Sequence, residues 1–214
     1  MNTRDRILRE ALRLFSEKGF EAVSVRNIAG AVGIKESSLY NHFTGKQDIF
    51  DSIISEYNAR GEAFFSKMDL TGEDMQFSVD EKTINTYKNM PPEQFVLITG
   101  SIFDFYFTDE INVQMRKMLT MEQYRNEKIA KMYREISFEG ALDYQSRLFE
   151  ALIAAGCFID VDPYIMALEF FAPIFLIFYK FDNDKQSLSE AKDLFQRHIA
   201  QFVNIYAIKK EEGK

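Results

Sequence analysis

The stretch that decides the fold is Ser24–Lys46, which reads SVRNIAGAVGIKESSLYNHFTGK. Ser24 is a favourable N-cap, and the apolar residues that follow it recur at helical spacing until Gly33 ends the helix after about two turns. A second short helix follows at about residues 35–42. Two short helices joined by a tight glycine turn present the second helix to the DNA major groove. The stretch therefore predicts a helix-turn-helix, with residues 25–32 before the turn and a recognition helix after it.

The helices on either side are predicted to hold this pair in place. The first carries an apolar stripe, with Thr3 as the candidate cap at its start and Gly19 at its end. The next opens with a capping box formed by Thr44 and Gln47 and continues to about Met68. The residues expected to form the small shared core are Leu12, Phe15, Ile28, Ala29, Leu39 and Phe43.

The polar residues of the stretch follow a pattern shared with a known family. Ser24–Ala29, Ala31–Ile34, Ser38–Phe43 and Lys46 closely resemble the tetracycline-repressor-like (TetR) family of bacterial regulators. The resemblance is strong over residues 3–57 and only architectural beyond them. The chain departs from the family at two positions, with Lys35 where a serine or threonine is usual and Ser37 where a glycine is frequent.

The resemblance implies a role for each matching residue. A hydroxyl, a phenol, an imidazole and an ammonium donate to DNA phosphates without reading sequence, and the residues in question are Ser24, Tyr40, His42 and Lys46. Arg26 is also expected to bind DNA. The residues expected to face the bases are Lys35, Glu36, Ser37, Ser38 and Asn41. Glu36 is unusual there, because a carboxylate repels phosphate unless it accepts from a cytosine amino group.

Composition restricts the class of protein. The 214 residues are 46% hydrophobic, which is enough to bury a core. One cysteine and two histidines offer too few ligands for a zinc site, so we expect no metal and no cofactor. The charged N-terminus and the lack of a long uncharged apolar run predict a cytoplasmic protein without a membrane segment.

Charge is distributed unevenly along the chain. The net charge of −7 argues at first against a nucleic-acid partner. Residues 1–50, however, hold eight lysines and arginines against six acidic residues, and the rest of the chain carries 18 against 27. This asymmetry predicts a small DNA-facing module joined to a larger acidic body.

Helical spacing almost throughout, with only four prolines, predicts an all-α protein. The expected domains are a helix-turn-helix domain over residues 1–45 and an effector-binding and dimerisation domain over 46–214. Within the second, a loop with a short helix is expected between Leu70 and Pro92. Beyond it we predict helices at 93–107, 109–119, 122–155 with a break near residues 137–140, 162–181 and 187–209.

The second domain is rich in aromatic residues. Core packing explains any one of them, but together they could line a cavity for an uncharged hydrophobic or aromatic effector. The candidate ligand-binding residues are Phe64, Phe95, Phe103, Tyr106, Phe107, Phe149, Phe171 and Phe175. The last two helices are expected to pair with a second copy through Ile165, Leu168, Phe175, Leu194, Phe195, His198 and Phe202.

These patterns predict a ligand-responsive, homodimeric DNA-binding regulator. The symmetry of a dimer predicts a palindromic operator, the aromatic residues favour a hydrophobic small molecule, and the resemblance implies repression that the ligand releases. Activation instead of repression stays open. Two alternatives are a helical enzyme that uses the aromatic cavity and a DNA-binding protein without a ligand. The chain shows no recognisable arrangement of nucleophile, base and orienting group, which disfavours the enzyme.

Overall fold

The structure, a computed structural model, describes residues 2–68, 79–181 and 185–208. The described residues form eleven α-helices and no strand, which confirms the all-α prediction. The helices are α1 Thr3–Lys18, α2 Val25–Val32, α3 Glu36–Leu39, α4 Lys46–Lys67, α5 Glu81–Lys88, α6 Pro92–Phe107, α7 Glu110–Glu122, α8 Glu127–Arg134, α9 Gly140–Ala154, α10 Pro163–Phe181 and α11 Leu188–Tyr206.

The predicted start of the first helix is wrong by one residue. Asn2, not Thr3, is the N-cap of α1, because its side-chain oxygen accepts from the backbone N–H of Asp5 at 2.9 Å. Gly19 ends the helix as predicted, and its N–H donates to the carbonyl of Phe15.

The structure has no break in the long helix near residues 137–140, but it does have a change of helix type. A π-helical segment, Glu135–Glu139, connects α8 to α9 without a non-helical residue. A π-turn inserts one extra residue into the helical ladder, so it shifts the face that the following helix presents. The loop predicted between Leu70 and Pro92 contains α5; residues 69–78 lie outside the described part.

The chain forms two compact units that alternate along the sequence. Unit 1 is Met1–Ala63 with Thr108–Glu135, and unit 2 is Phe64–Phe107 with Ile136–Lys214. In unit 1, α1 packs on α2 and α7, and α7 packs on α8. The boundary between residues 45 and 46 stays a prediction about where the DNA-binding function ends.

Unit 2 has an aromatic core. Helix α10 packs against α9 and α11, α6 packs against α11, and α5 packs against α9. Ring stacking is extensive there: the centroids of Phe103 and Phe107 are 4.2 Å apart, and those of Phe107 and Phe178 are 4.1 Å apart.

Among the described helices, α10 is long and apolar enough to cross a membrane by length and composition. The core helix of a soluble protein meets the same criterion. Here α10 buries Met166, Ala167, Ile174 and Ile177 and contacts α9 and α11 along its length.

Candidate nucleic-acid interface

The turn between α2 and α3 is built as the sequence predicts. Ser24 caps α2 through a reciprocal pair of bonds with Asn27: the Asn27 N–H donates to Ser24 Oγ at 3.1 Å, and the Ser24 N–H donates to Asn27 Oδ1 at 2.9 Å. Gly33 ends the helix at φ +76°, in the left-handed region that favours glycine. The chain then reverses into α3.

The recognition helix is shorter than predicted. Helix α3 covers only Glu36–Leu39, whereas about 35–42 was expected. The next residues continue as tight turns, with the N–H of Asn41 donating to Ser38 and that of His42 donating to Leu39 at 2.9 Å. The N–H of the buried Phe43 also donates to Leu39, at 3.1 Å, so Leu39 accepts from two residues where the regular helix ends.

The N-cap of α3 has no side-chain bond. Lys35 occupies this position with φ −69° and ψ 146°, and it offers no acceptor to the free N–H groups of the first turn. A serine or threonine, which the resemblance leads one to expect at this position, would supply such an acceptor.

The predicted core beneath the helix pair is confirmed. Its six members are all buried: Leu12, Phe15, Ile28, Ala29, Leu39 and Phe43. The Phe15 ring also packs on Phe20 and Phe50, at centroid distances of 5.2 and 6.3 Å. Because the apolar sides of α2 and α3 are buried in this core, their polar sides face outward.

The structure brings the predicted DNA-binding residues to one region of unit 1. Eight of them are exposed: Ser24, Arg26, Lys35, Glu36, Ser37, Tyr40, Asn41 and His42. Ser38 and Lys46 are half-buried. Their roles toward DNA stay predictions.

Lys46 has contacts within the fold that the sequence did not reveal. Its Nζ donates to the carbonyl of Phe20 at 2.8 Å and lies 4.2 Å from the centroid of the Phe20 ring. It also lies 3.9 Å from a carboxylate oxygen of Glu21. The ammonium therefore holds the turn between α1 and α2 as well as lying near the predicted interface.

The predicted capping box at the start of α4 has a different partner. Both the N–H and the hydroxyl of Thr44 donate to the Asp48 carboxylate, at 2.7 and 3.1 Å, whereas Gln47 bonds Asp51. Asp48 prevails because α4 begins at Lys46, which places the acidic residue, not the amide, in reach of the cap.

Two further residues of this region escaped the sequence analysis. The guanidinium of Arg6 donates to the carbonyl of Val32 at 2.5 Å, at the end of α2. The carboxylate of Glu122, fully buried in α7, accepts from the N–H of Phe20 at 2.9 Å. Both contacts join positions at least 26 residues apart, so helical spacing gives no signal for them.

The candidate ligand-binding residues fall into two groups in unit 2. Phe103, Phe107 and Phe149 are buried in its apolar clusters. The others are half-buried: Phe64, Phe95, Tyr106, Phe171 and Phe175. Phe64 stacks on Phe105 at 4.0 Å, and Phe175 stacks on Phe138 at 4.8 Å. Packing accounts for these rings, and a ligand role for them stays a prediction.

One polar pair in unit 2 was missed. The phenols of Tyr87 in α5 and Tyr144 in α9 are hydrogen-bonded to each other, and burial is the main cause that raises the pKa of both. The sequence separates them by 57 positions and offers no signal for the pairing.

The candidate dimer residues also divide by exposure. Ile165 and Leu168 are exposed, at 49% and 44%, whereas Phe195 and Phe202 are only 3% and 5% exposed within their own chain. Half-buried are Phe175, Leu194 and His198. The imidazole Nε2 of His198 is 2.8 Å from the carbonyl oxygen of Phe170, and this contact joins α11 to α10.

Known proteins resemble this chain in sequence at its N-terminus and in fold along its length. Residues 7–53 match the family described as bacterial regulatory proteins, tetR family. A curated relative, the biofilm operon icaADBC HTH-type negative transcriptional regulator IcaR of Staphylococcus aureus (strain Newman), is 41% identical over 51 residues. Those residues are 24% of this chain and 27% of IcaR, so the chain spans about a quarter of that relative's length.

Two solved structures show the shared fold. The SmeT–triclosan complex, SmeT being the repressor of the Stenotrophomonas maltophilia multidrug efflux pump SmeDEF, superposes with a TM-score of 0.67 at 17% identity. The alignment covers 99% of this chain and 94% of SmeT. A transcriptional regulator from Saccharomonospora viridis in complex with choline gives a TM-score of 0.63 at 17% identity, covering 96% and 98% of the two chains.

Proposed function

We propose that this chain, whose residues 7–53 match the tetR family of bacterial regulatory proteins, is a member of that family and a DNA-binding transcriptional repressor that a small hydrophobic molecule releases from its operator. The observation that carries the proposal is the helix-turn-helix itself: a capped α2, a left-handed glycine turn and a short α3 whose polar side chains point outward. These side chains can bind phosphate and reach base edges.

The proposed interface separates affinity from sequence preference. Tyr40, 52% exposed, and His42 are positioned to donate to phosphates, which are alike in every sequence. Ser38 and Asn41 carry groups suited to base edges.

The test uses one matched pair of tyrosines. Tyr40→Phe removes a single hydroxyl and should weaken binding to all duplexes by a similar factor, whereas Asn41→Ala should change the ranking among duplexes. Tyr164→Phe is the control, because Tyr164 is equally exposed at 52% but lies in unit 2. Operators selected from random DNA, followed by fluorescence anisotropy titration, give the affinities. Equal binding by Tyr40→Phe and wild type would remove Tyr40 from the interface.

We propose further that the regulator is a homodimer. Helix α10 carries an exposed apolar stripe whose members are three or four residues apart: Ile165, Leu168, Ala172, Leu176 and Tyr179. This spacing keeps one face of a helix toward a partner helix. A symmetric dimer binds a palindromic operator, with recognition helices about 34–36 Å apart.

Leu176 is the residue on which to test the dimer, because it is 67% exposed and its substitution leaves the core intact. Leu176→Glu should give monomers in sedimentation velocity. Leu97→Glu, at a residue 71% exposed on α6, should leave the dimer unchanged. A dimeric Leu176→Glu protein would place the interface elsewhere.

The effector is proposed to be uncharged and hydrophobic. Unit 2 offers mainly aromatic side chains, and one protein of this fold is known in complex with triclosan. A ligand that binds more tightly to the state with the wrong helix separation must weaken DNA binding by its differential affinity.

An uncharged aromatic fluorophore, N-phenyl-1-naphthylamine, tests this class. It should bind with increased fluorescence and weaken operator binding, and Phe175→Ala should reduce both effects. Choline, a permanent cation, should do neither. Normal operator binding that no hydrophobic compound changes would favour the alternative of a DNA-binding protein without a ligand.

A further inference from the structure

A basic surface lies in unit 1 outside the helix-turn-helix, at the corner where α7 meets α8. We call Arg125, Lys128 and Lys131 the basic corner. All three are exposed, and the side chain of Arg125 retains 62% of its accessible surface. Tyr124 beside them is 86% exposed.

The segment that contains the basic corner has a charge opposite in sign to that of the chain as a whole. Residues 116–134 carry six lysines and arginines against two glutamates, in a protein with a net charge of −7. One of the two glutamates, Glu122, is fully buried and points its carboxylate at the N–H of Phe20. The same carboxylate lies 3.7 Å from Nη1 of Arg125 and offsets its charge, so the positive charge that the corner offers outward is mainly that of Lys128 and Lys131.

The lysines of the basic corner have no ion-pair partner among the residues that the structure describes. Glu127 stands four residues before Lys131, the spacing and order that favour an ion pair on a helix, yet no such pair forms. Elsewhere in unit 1 the pattern differs: Arg4 pairs with Glu56 at 2.6 Å, and Arg60 pairs with Asp109 at 2.8 Å.

The basic corner is attached to the turn that leads into α2. A Cβ built on Gly19 would lie 3.0 Å from Nη1 of Arg125, so the guanidinium covers this glycine. The neighbouring Phe20 is held from two sides, with its N–H bonded to Glu122 of α7 and its carbonyl bonded to Lys46 of α4.

The corner is therefore close to the proposed phosphate-binding residues. Gly19 and Ser24 are five positions apart in the sequence, so their Cα atoms lie at most about 17 Å apart. DNA presents a phosphate about every 3.4 Å of helix axis on each strand. Arg125 and the proposed phosphate-binding Lys46 contact adjacent residues, Gly19 and Phe20, so the phosphates next to those bound at Lys46 are the ones that this surface would reach.

We propose that the basic corner is a second phosphate-contacting surface, which binds the DNA backbone beside the segment that α2 and α3 engage. The inference rests on the proposed DNA-binding function. It adds affinity without sequence preference, because lysine and arginine contacts to phosphates are the same in every sequence.

The test is the salt dependence of operator binding by the double variant Lys128→Gln/Lys131→Gln. Each phosphate contact contributes about 0.9 to the slope of log affinity against log salt concentration. Each protomer loses two contacts, so the proposed dimer loses four and its slope should become shallower by about 3.6; wild type then loses about 150-fold more affinity than the variant between about 50 and 200 mM salt. The ranking of operator sequences should be unchanged.

The matched control is Lys67→Gln/Lys88→Gln, which removes the same charge from two exposed lysines of unit 2. It should keep the wild-type slope. A wild-type slope for the corner variant, or an equal change in the control, overturns the inference and leaves the proposed function standing. No DNA binding by the unaltered chain overturns both.

A second measurement separates DNA from another anionic partner. Vesicles containing phosphatidylserine should bind the corner variant and wild type alike. Loss of vesicle binding in the corner variant, with an unchanged DNA slope, would assign the surface to a membrane and overturn the inference.

Discussion

Replacing Gly19 by alanine should be among the most destabilising single-methyl additions in unit 1. Gly19 has φ +84° and ψ 155°, a region essentially restricted to glycine, where another residue costs about 1–3 kcal/mol. The new Cβ would also lie 2.7 Å from Oε1 of Glu122. That oxygen can move away only by giving up its bond to the N–H of Phe20, and an unpaired buried donor costs about 1–3 kcal/mol. The two costs together come to about 4 kcal/mol.

Substitutions at two other glycines distinguish the cost of backbone strain from the cost of the steric conflict. Gly33→Ala introduces backbone strain at φ +76° with nothing within 4 Å of the new Cβ, so it should cost only about 1–2 kcal/mol. Gly30 lies inside α2, again with nothing within 4 Å, and Gly30→Ala should stabilise by about 0.5–1 kcal/mol through helix propensity.

The measurement is urea unfolding followed by circular dichroism at one fixed protomer concentration, because a dimer is stabilised by mass action. With a slope of about 2 kcal/mol per molar urea, Gly19→Ala should lower the midpoint by about 2 M. In a Glu122→Ala background the same substitution should cost only its strain, so the double variant should be more stable than additivity requires by about 1–3 kcal/mol. Additive effects, or a Gly19→Ala midpoint equal to that of Gly33→Ala, would refute the steric conflict with Glu122.

Three further predictions follow from local contacts. Lys35→Thr supplies the missing N-cap acceptor of α3 and should stabilise the protein by about 0.5–1 kcal/mol in the same urea assay. It should also weaken operator binding. The control, Lys67→Thr, should give neither effect. Burial and the contact with Tyr144 raise the pKa of Tyr87 above its ordinary value of about 10. Above pH 10 the folded chain therefore keeps a proton that the unfolded chain loses. The contribution of Tyr87 to the free energy of unfolding is full below about pH 10 and falls by up to about 1.4 kcal/mol per pH unit above it. Tyr87→Phe should flatten this fall, measured by urea unfolding at pH 9 and 11; an unchanged slope would contradict the proton balance. Lys46→Ala should lower both the urea midpoint and DNA affinity, because its ammonium holds the Phe20 carbonyl; normal values of both would contradict the contact.

The local elements of the helix-turn-helix could be predicted from sequence because short-range rules decide them. The Ser24 cap, the left-handed Gly33 and the apolar spacing of α2 act within a few residues of one another. The same rules failed where competition between neighbours mattered, as when Asp48 instead of Gln47 bonded Thr44. They also overextended α3, because apolar spacing does not show that the hydrogen bonds tighten from four-residue to three-residue spacing after Leu39.

The exposure of the long apolar helices depended on tertiary packing. The sequence placed Ile165 and Phe195 on apolar stripes alike, yet the first is 49% exposed and the second 3%. Helical spacing identifies an apolar face, but not whether that face meets its own chain or a second copy.

The sequence by itself determined that this protein is helical, that α2 and α3 form a helix-turn-helix, and which polar side chains lie on its outer side, because capping, glycine conformation and helical period are local properties. Only the tertiary structure decided that residues 108–135 pack with the N-terminal helices, that Glu122 and Lys46 hold the Phe20 peptide from two sides, and that Arg125 covers Gly19. Those contacts join positions 26 to more than 100 residues apart, and their partners are selected by the packing of whole helices, which no local pattern encodes.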